Sequence, residues 1–99
     1  MTNQGILSDN VALVTGGTRG IGRSIVLAVS REGADCVFTY TKNQALADSL
    51  ADEVRKLGRR AIPVQLDVRD FEGAKLLIEK IKKEFGKLDI LVNNAGITR

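Results

Sequence analysis

The chain has 99 residues, 43% of them hydrophobic and 27% charged, which suits one small globular domain and leaves no room for two. Its formal charge of +3 is thinly spread, its one cysteine excludes an internal disulfide and a thiolate zinc cluster, and the lack of histidine excludes imidazole chemistry within these residues. No apolar run approaches the roughly 20 residues of a membrane span, and MTNQGILSDN lacks the basic and apolar regions of a signal peptide.

Residues 11–15, VALVT, are apolar and rich in β-branched types, as befits a strand buried on both faces. GGTRGIG follows. Ile21, Ile25, Ala28 and Val29 then recur at helical spacing, and Gly33 is the expected stop. A second strand is predicted from Ala34 to Tyr40. It contains Cys36, expected to be a buried, reduced thiol, which fits a cytoplasmic protein.

The second helix carries Leu46, Leu50, Val54 and Leu57 on one stripe and ends at Gly58. The densest basic run, Arg55, Lys56, Arg59 and Arg60, falls where that helix ends, the end of the dipole that favours cations. No aromatic residues interleave with it, so no nucleic-acid partner is expected. A third strand is predicted over residues 61–66. The third helix presents Phe71, Ala74, Ile78, Ile81 and Phe85 on one face, with Asp70 as N-cap and Gly86 as stop. Residues 88–92 read as a fourth strand buried on both faces, and NNAGITR follows.

The order β-α-β-α-β-α-β implies right-handed crossovers and a parallel sheet, and the doubly wound order for such a unit is 3-2-1-4. Pro63 tests this order. It cannot donate to a ladder and belongs on an edge strand, and the third strand is the edge in that order.

The loop after the first strand carries the chemistry. Thr15, Gly16, Gly20 and Gly22 form the pattern T-G-x-x-x-G-x-G. Glycines allow a tight turn and close approach of a pyrophosphate, and the helix that starts near Gly20 directs free N–H groups and its positive dipole end at the anion. The same glycines would also serve close helix–strand packing alone. Which dinucleotide binds depends on the end of the second strand. A carboxylate there would accept bonds from ribose hydroxyls and repel a 2′-phosphate, but residues 37–43 contain no acid, and Asp35 lies at the wrong end. Arg19 in the loop and Lys42 past the strand suit a 2′-phosphate, so NADP(H) is expected over NAD(H). Otherwise these are solvated charges, and Thr41 with Gln44 forms a capping box.

The loop spacing resembles the short-chain dehydrogenase/reductase family rather than the G-x-G-x-x-G fingerprint. Asp67-Val68 after the third strand and Asn93-Asn94-Ala95-Gly96 after the fourth match that family's adenine-side pair and its NNAG motif. Asp67 also has the position of a turn cap with Asp70. Within the family, TGGTRGIG and ILVNNAGITR look most like 3-oxoacyl-acyl-carrier-protein reductases. The resemblance implies a Rossmann-like α/β domain whose cofactor site takes Thr15, Gly16, Thr18, Arg19, Gly20, Ile21, Gly22, Thr41, Lys42, Asp67, Val68, Asn94, Ala95 and Gly96.

It also implies a catalytic serine and a Y-x-x-x-K pair further along. Here the only tyrosine, Tyr40, is followed four residues on by Gln44, so no catalytic residue is carried over. Residues 1–99 are thus expected to be the N-terminal, cofactor-binding part of a longer cytoplasmic reductase, inactive alone. The resemblance implies that the full-length protein is a homotetramer of fatty acid biosynthesis, acting on a carrier-bound or small-molecule acyl substrate away from membranes. Another short-chain alcohol or sugar dehydrogenase, or a non-catalytic dinucleotide-binding module, are the alternatives.

Overall fold

The computed structural model describes residues 5–18, 20–67 and 69–94. Strands and helices alternate: β1 (Val11–Thr15), α1 (Gly20–Arg31), β2 (Asp35–Tyr40), α2 (Gln44–Lys56), β3 (Ala61–Gln65), α3 (Phe71–Phe85) and β4 (Ile90–Asn93). All strand pairs are parallel, in the order β3-β2-β1-β4 anticipated above. Pro63 sits opposite Phe38 on the edge strand β3, where a missing donor costs least.

Strand order dictates the layers. α1 and α2 carry the chain outward from β1 to β3, and α3 carries it back to the far side of β1. Right-handed crossovers in opposite directions place helices on opposite faces. The core divides accordingly. Ala12 and Val14 of β1 join Phe38, Val26, Leu50 and Val54 in one cluster. Val11 and Leu13, which point the other way, join Val37 and Ile81 of α3 in a second.

The buried side of α1 is Gly22, Val26, Leu27 and Ser30, not the stripe expected from Ile21, Ile25, Ala28 and Val29. Ile21 is 67% exposed, and Ile25 and Val29 only flank the core. The helix is rotated because Gly22 must face the loop after β1, against which no larger residue fits. On α2 the buried residues are Ala47, Leu50, Ala51 and Val54, while Leu46 and Leu57 lie at the margin. The cap of α2 is Asn43, whose side chain accepts the Leu46 N–H at 3.0 Å, so Thr41 does not cap it.

α3 starts and stops as predicted: Asp70 accepts the Gly73 N–H at 2.9 Å, and Gly86 closes the helix in the left-handed region at φ 84°. Its apolar face is less covered than its spacing suggests, since only Ile81 is buried and Phe71 is largely exposed. Nor is β4 buried on both faces: Leu91 is 57% exposed. α3 packs over Val11, Leu13 and Val37 of β1 and β2, which leaves an open groove of about 190 Å³ between Leu13, Phe71, Ala74, Ile78 and Leu91.

Candidate functional site

The expected site residues within the described chain gather at one end of the sheet, beyond the carboxyl ends of the strands. In doubly wound folds ligands bind at this end, where the chain order reverses between neighbouring strands, here β1 and β4. Leaving β1 at Thr15, the chain turns through Gly16, which at φ 68° adopts a conformation that a side chain disfavours. The Gly16 N–H donates to Thr39 Oγ1 at 3.0 Å, and its carbonyl accepts from Asn94 Nδ2 at 3.0 Å. The Gly17 N–H donates to the Thr39 carbonyl at 3.0 Å. Thr18, half-buried, follows, and α1 opens at Gly20 with φ 59°.

A methyl at Gly22 would run into the Gly16 carbonyl and come within 2.6 Å of Asn94 Nδ2. Loop, helix and β4 therefore meet at a point only glycine can occupy. The first turn of α1 contains no acid, so no carboxylate of that turn competes with an anion for its N–H groups. Ile21 stands exposed in this turn. Thr15 hydrogen-bonds Asn93 Oδ1 at 3.1 Å and so ties the ends of β1 and β4 together.

Beyond β2 and β3, Thr41, Lys42, Gln65, Leu66, Asp67 and Asp70 border a cavity of about 330 Å³. Gln65 Nε2 donates to the Thr41 carbonyl at 2.9 Å and fixes one wall. Asp67 accepts three bonds from Arg69: from Nη2 at 2.7 Å, from the backbone N–H at 2.9 Å and from Nε at 3.1 Å. The side-chain bonds, then the backbone bond, hold its carboxyl down at about 2. Asp67 thus caps the turn before α3 and keeps a charged edge on the cavity. Among the described residues Lys42 has no ion-pair partner, and the end of β2 carries no acid.

Asp35 is at the opposite end of β2, paired with Arg60 at 3.0 Å. Arg60 also lies over the Phe85 ring, 4.1 Å from its centroid, and Arg55 donates to the Ala61 carbonyl at 2.8 Å. Half of the basic run is therefore engaged in holding β3 and α3 in place.

The structure brings together Thr15, Gly16, Thr18, Gly20, Ile21, Gly22 and Asn94 around the loop, and Thr41, Lys42 and Asp67 around the cavity. Arg19, Val68, Ala95 and Gly96 lie outside the described residues. Sequence reasoning passed over Thr39 and Gln65. Thr39 is a polar residue directly after the apolar run Cys36, Val37 and Phe38, and that contrast was its one visible signal. Among the described residues no helix is long and apolar enough to cross a membrane.

Comparison with known proteins agrees with this geometry. Residues 10–99 match the short chain dehydrogenase family. The chain is 42% identical over 91 residues to the short-chain dehydrogenase/reductase FrzI of a Cladobotryum species, covering 92% of this chain and 35% of that protein. It is also 42% identical over 88 residues to the 3-oxoacyl-[acyl-carrier-protein] reductase FabG of Staphylococcus aureus, covering 89% of this chain and 36% of that one. Among solved structures, a short chain dehydrogenase from Burkholderia cenocepacia in complex with NADP superposes with a TM-score of 0.88 at 44% identity, covering 94% of this chain and 38% of that one. The chain thus spans a little over a third of the length of these relatives. Strand order, loop spacing and the match over residues 10–99 converge, and the chain belongs to the short-chain dehydrogenase/reductase family.

Proposed function

We propose that residues 1–99 form the dinucleotide-binding part of a single Rossmann-fold domain in an NADP-dependent oxidoreductase. The observation that carries this reading is Lys42: a cation on the wall of a cavity of about 330 Å³, at a strand end without a carboxylate, beside a glycine loop that leads into a helix N-terminus. A 2′-phosphate suits that end and a bare ribose would gain nothing from the cation. The Burkholderia relative solved with NADP supports the choice.

In this reading the first turn of α1 holds the pyrophosphate, Lys42 and Thr41 take the 2′-phosphate, and the ionised Asp67 faces the adenine amino group. Arg19, Val68, Ala95 and Gly96 complete the set. The bound cofactor supplies or accepts a hydride. Titration of the purified chain with NADPH and NADH tests the reading: NADPH should bind more tightly, and equal or tighter binding of NADH overturns it.

For the whole protein we favour reduction of a 3-oxoacyl thioester on a carrier protein, in the cytoplasm and as a homotetramer. The similarity to the Staphylococcus reductase supports that substrate. The decisive observation is the coding sequence after codon 99: an in-frame serine and Y-x-x-x-K pair are expected, and their absence from an intact frame would favour a non-catalytic dinucleotide-binding module. Assay of the full-length protein with a 3-oxoacyl thioester, against alcohols and sugars, separates this reductase from other short-chain dehydrogenases.

A further inference from the structure

The glycine loop is held from behind by a residue outside the motif. Thr39 is 1% exposed, one of two buried polar residues among those described. Its hydroxyl accepts the Gly16 N–H, and its carbonyl accepts the Gly17 N–H, both at 3.0 Å. Gly17 itself is pressed against Phe38, whose Cβ would lie 2.8 Å from a methyl at that position. The first two N–H groups of the loop therefore point back into the sheet. Neither is free for an anion, and the donors left to face one begin further along, toward the first turn of α1.

We propose that Thr39 is a positioning residue: its buried hydroxyl fixes Gly16 in the left-handed conformation and so sets where the following N–H groups meet a phosphate. The role rests on the dinucleotide-binding reading above. A strand position alone would be served equally by valine, which has the same branching and is likewise enriched in strands. Only the hydroxyl can accept from Gly16. Removing it leaves a part-buried N–H without an acceptor, and the loop relaxes to recover one.

Thr39→Val and Thr39→Ser, compared with the wild-type chain, test this. Three readouts are needed: dissociation constants for NADPH and for adenosine 2′-monophosphate, and hydrogen exchange of the Gly16 amide without ligand. The nucleotide monophosphate lacks the pyrophosphate and reports only the Lys42 end. Thr39→Val should weaken NADPH binding by about three- to tenfold, leave the monophosphate unchanged and expose the Gly16 amide to exchange. Thr39→Ser should restore the NADPH affinity and the Gly16 protection toward wild type. Equal weakening of both ligands, unchanged NADPH binding in Thr39→Val, or no rescue by serine would each overturn the role of Thr39. Wild-type chain that binds neither ligand would instead overturn the dinucleotide reading, and the role of Thr39 with it. The exchange result needs no ligand, so protection of the Gly16 amide that survives Thr39→Val also overturns the role.

Discussion

The side-chain amide of Asn94 donates to the carbonyl of Gly16 at 3.0 Å across 78 residues of sequence, and joins the end of β4 to the loop after β1. Gly22 of α1 packs at the same point, so any Cβ there would strike both partners of this bond. Loop, helix start and β4 form one unit, and a disturbance in any of them displaces the N–H groups of the candidate anion site.

Gly22→Ala follows directly. Overpacking at this contact should cost about 1–3 kcal/mol of stability, read as a lower urea midpoint. It should also abolish saturable NADPH binding. Gly58→Ala is the control: Gly58 has φ 84° and nothing within 4 Å of its Cβ position, and it is remote from the loop in sequence. It should cost about 1–2 kcal/mol through its backbone conformation and leave binding intact. Wild-type affinity in Gly22→Ala would refute the packing account.

Lys42→Glu should separate the two nicotinamide cofactors. Loss of one charge-assisted bond to a phosphate, plus like-charge repulsion, predicts at least about a tenfold weaker affinity for NADPH. Affinity for NADH should change by less, or rise. The difference should narrow as salt increases, because Lys42 is exposed. Parallel titrations at low and high ionic strength would show this, and an equal loss for both cofactors would remove Lys42 from 2′-phosphate recognition.

Several of these features were legible in the sequence because each rests on local chemistry. Gly16 and Gly20 adopt positive φ where the loop spacing required it, Asp70 and Gly86 bound α3, and Pro63 marked the edge strand. The helix faces were read less well. Hydrophobic spacing favoured Ile25 and Val29, but the buried side of α1 includes Gly22 and Ser30, which no apolar stripe can reveal. On α2 the alanines Ala47 and Ala51 lie inside, where small size allows close approach to the sheet, while Leu46 and Leu57 lie at the rim. Thr39 escaped notice because its partner, Gly16, is 23 residues away and becomes adjacent only when β2 pairs with β1. Tertiary packing decided all three, and local spacing alone could not assign their roles.

Arg69→Ala should release Asp67. Its carboxyl, held at about 2 by the Arg69 side chain first and the Arg69 N–H second, should rise toward the ordinary 3.8 and stop short of it, since the backbone bond survives the substitution. The sign follows from linkage. A folded-state value below the unfolded one stabilises above about pH 4, and that contribution fades as pH falls toward 2. Both side chains face water, so the effect on stability should be small and salt-sensitive. Carboxyl NMR titration of Asp67 in both proteins at low salt measures the shift. An unchanged midpoint in Arg69→Ala would mean that Arg69 does not hold the carboxylate.

Cys36 should behave as an inert core residue until the chain unfolds. It is buried between the sheet and the α1–α2 layer, and burial, with a smaller push from Asp35, raises its thiol to about 12. Thiol reagents need the thiolate, so at pH 8 labelling of the folded chain should track global unfolding, while denatured chain reacts at once. The same shift predicts an alkaline limb. Between the ordinary value of 9.0 and about 12 the unfolded chain has lost the thiol proton and the folded chain still holds it, so stability falls as pH rises through that window. Cys36→Val removes the titrating group at a similar size and should flatten that limb while leaving neutral-pH stability within about 1.5 kcal/mol. Urea midpoints for both proteins from pH 7 to 10.5 would reveal it, and parallel curves would show that Cys36 contributes nothing to the alkaline loss.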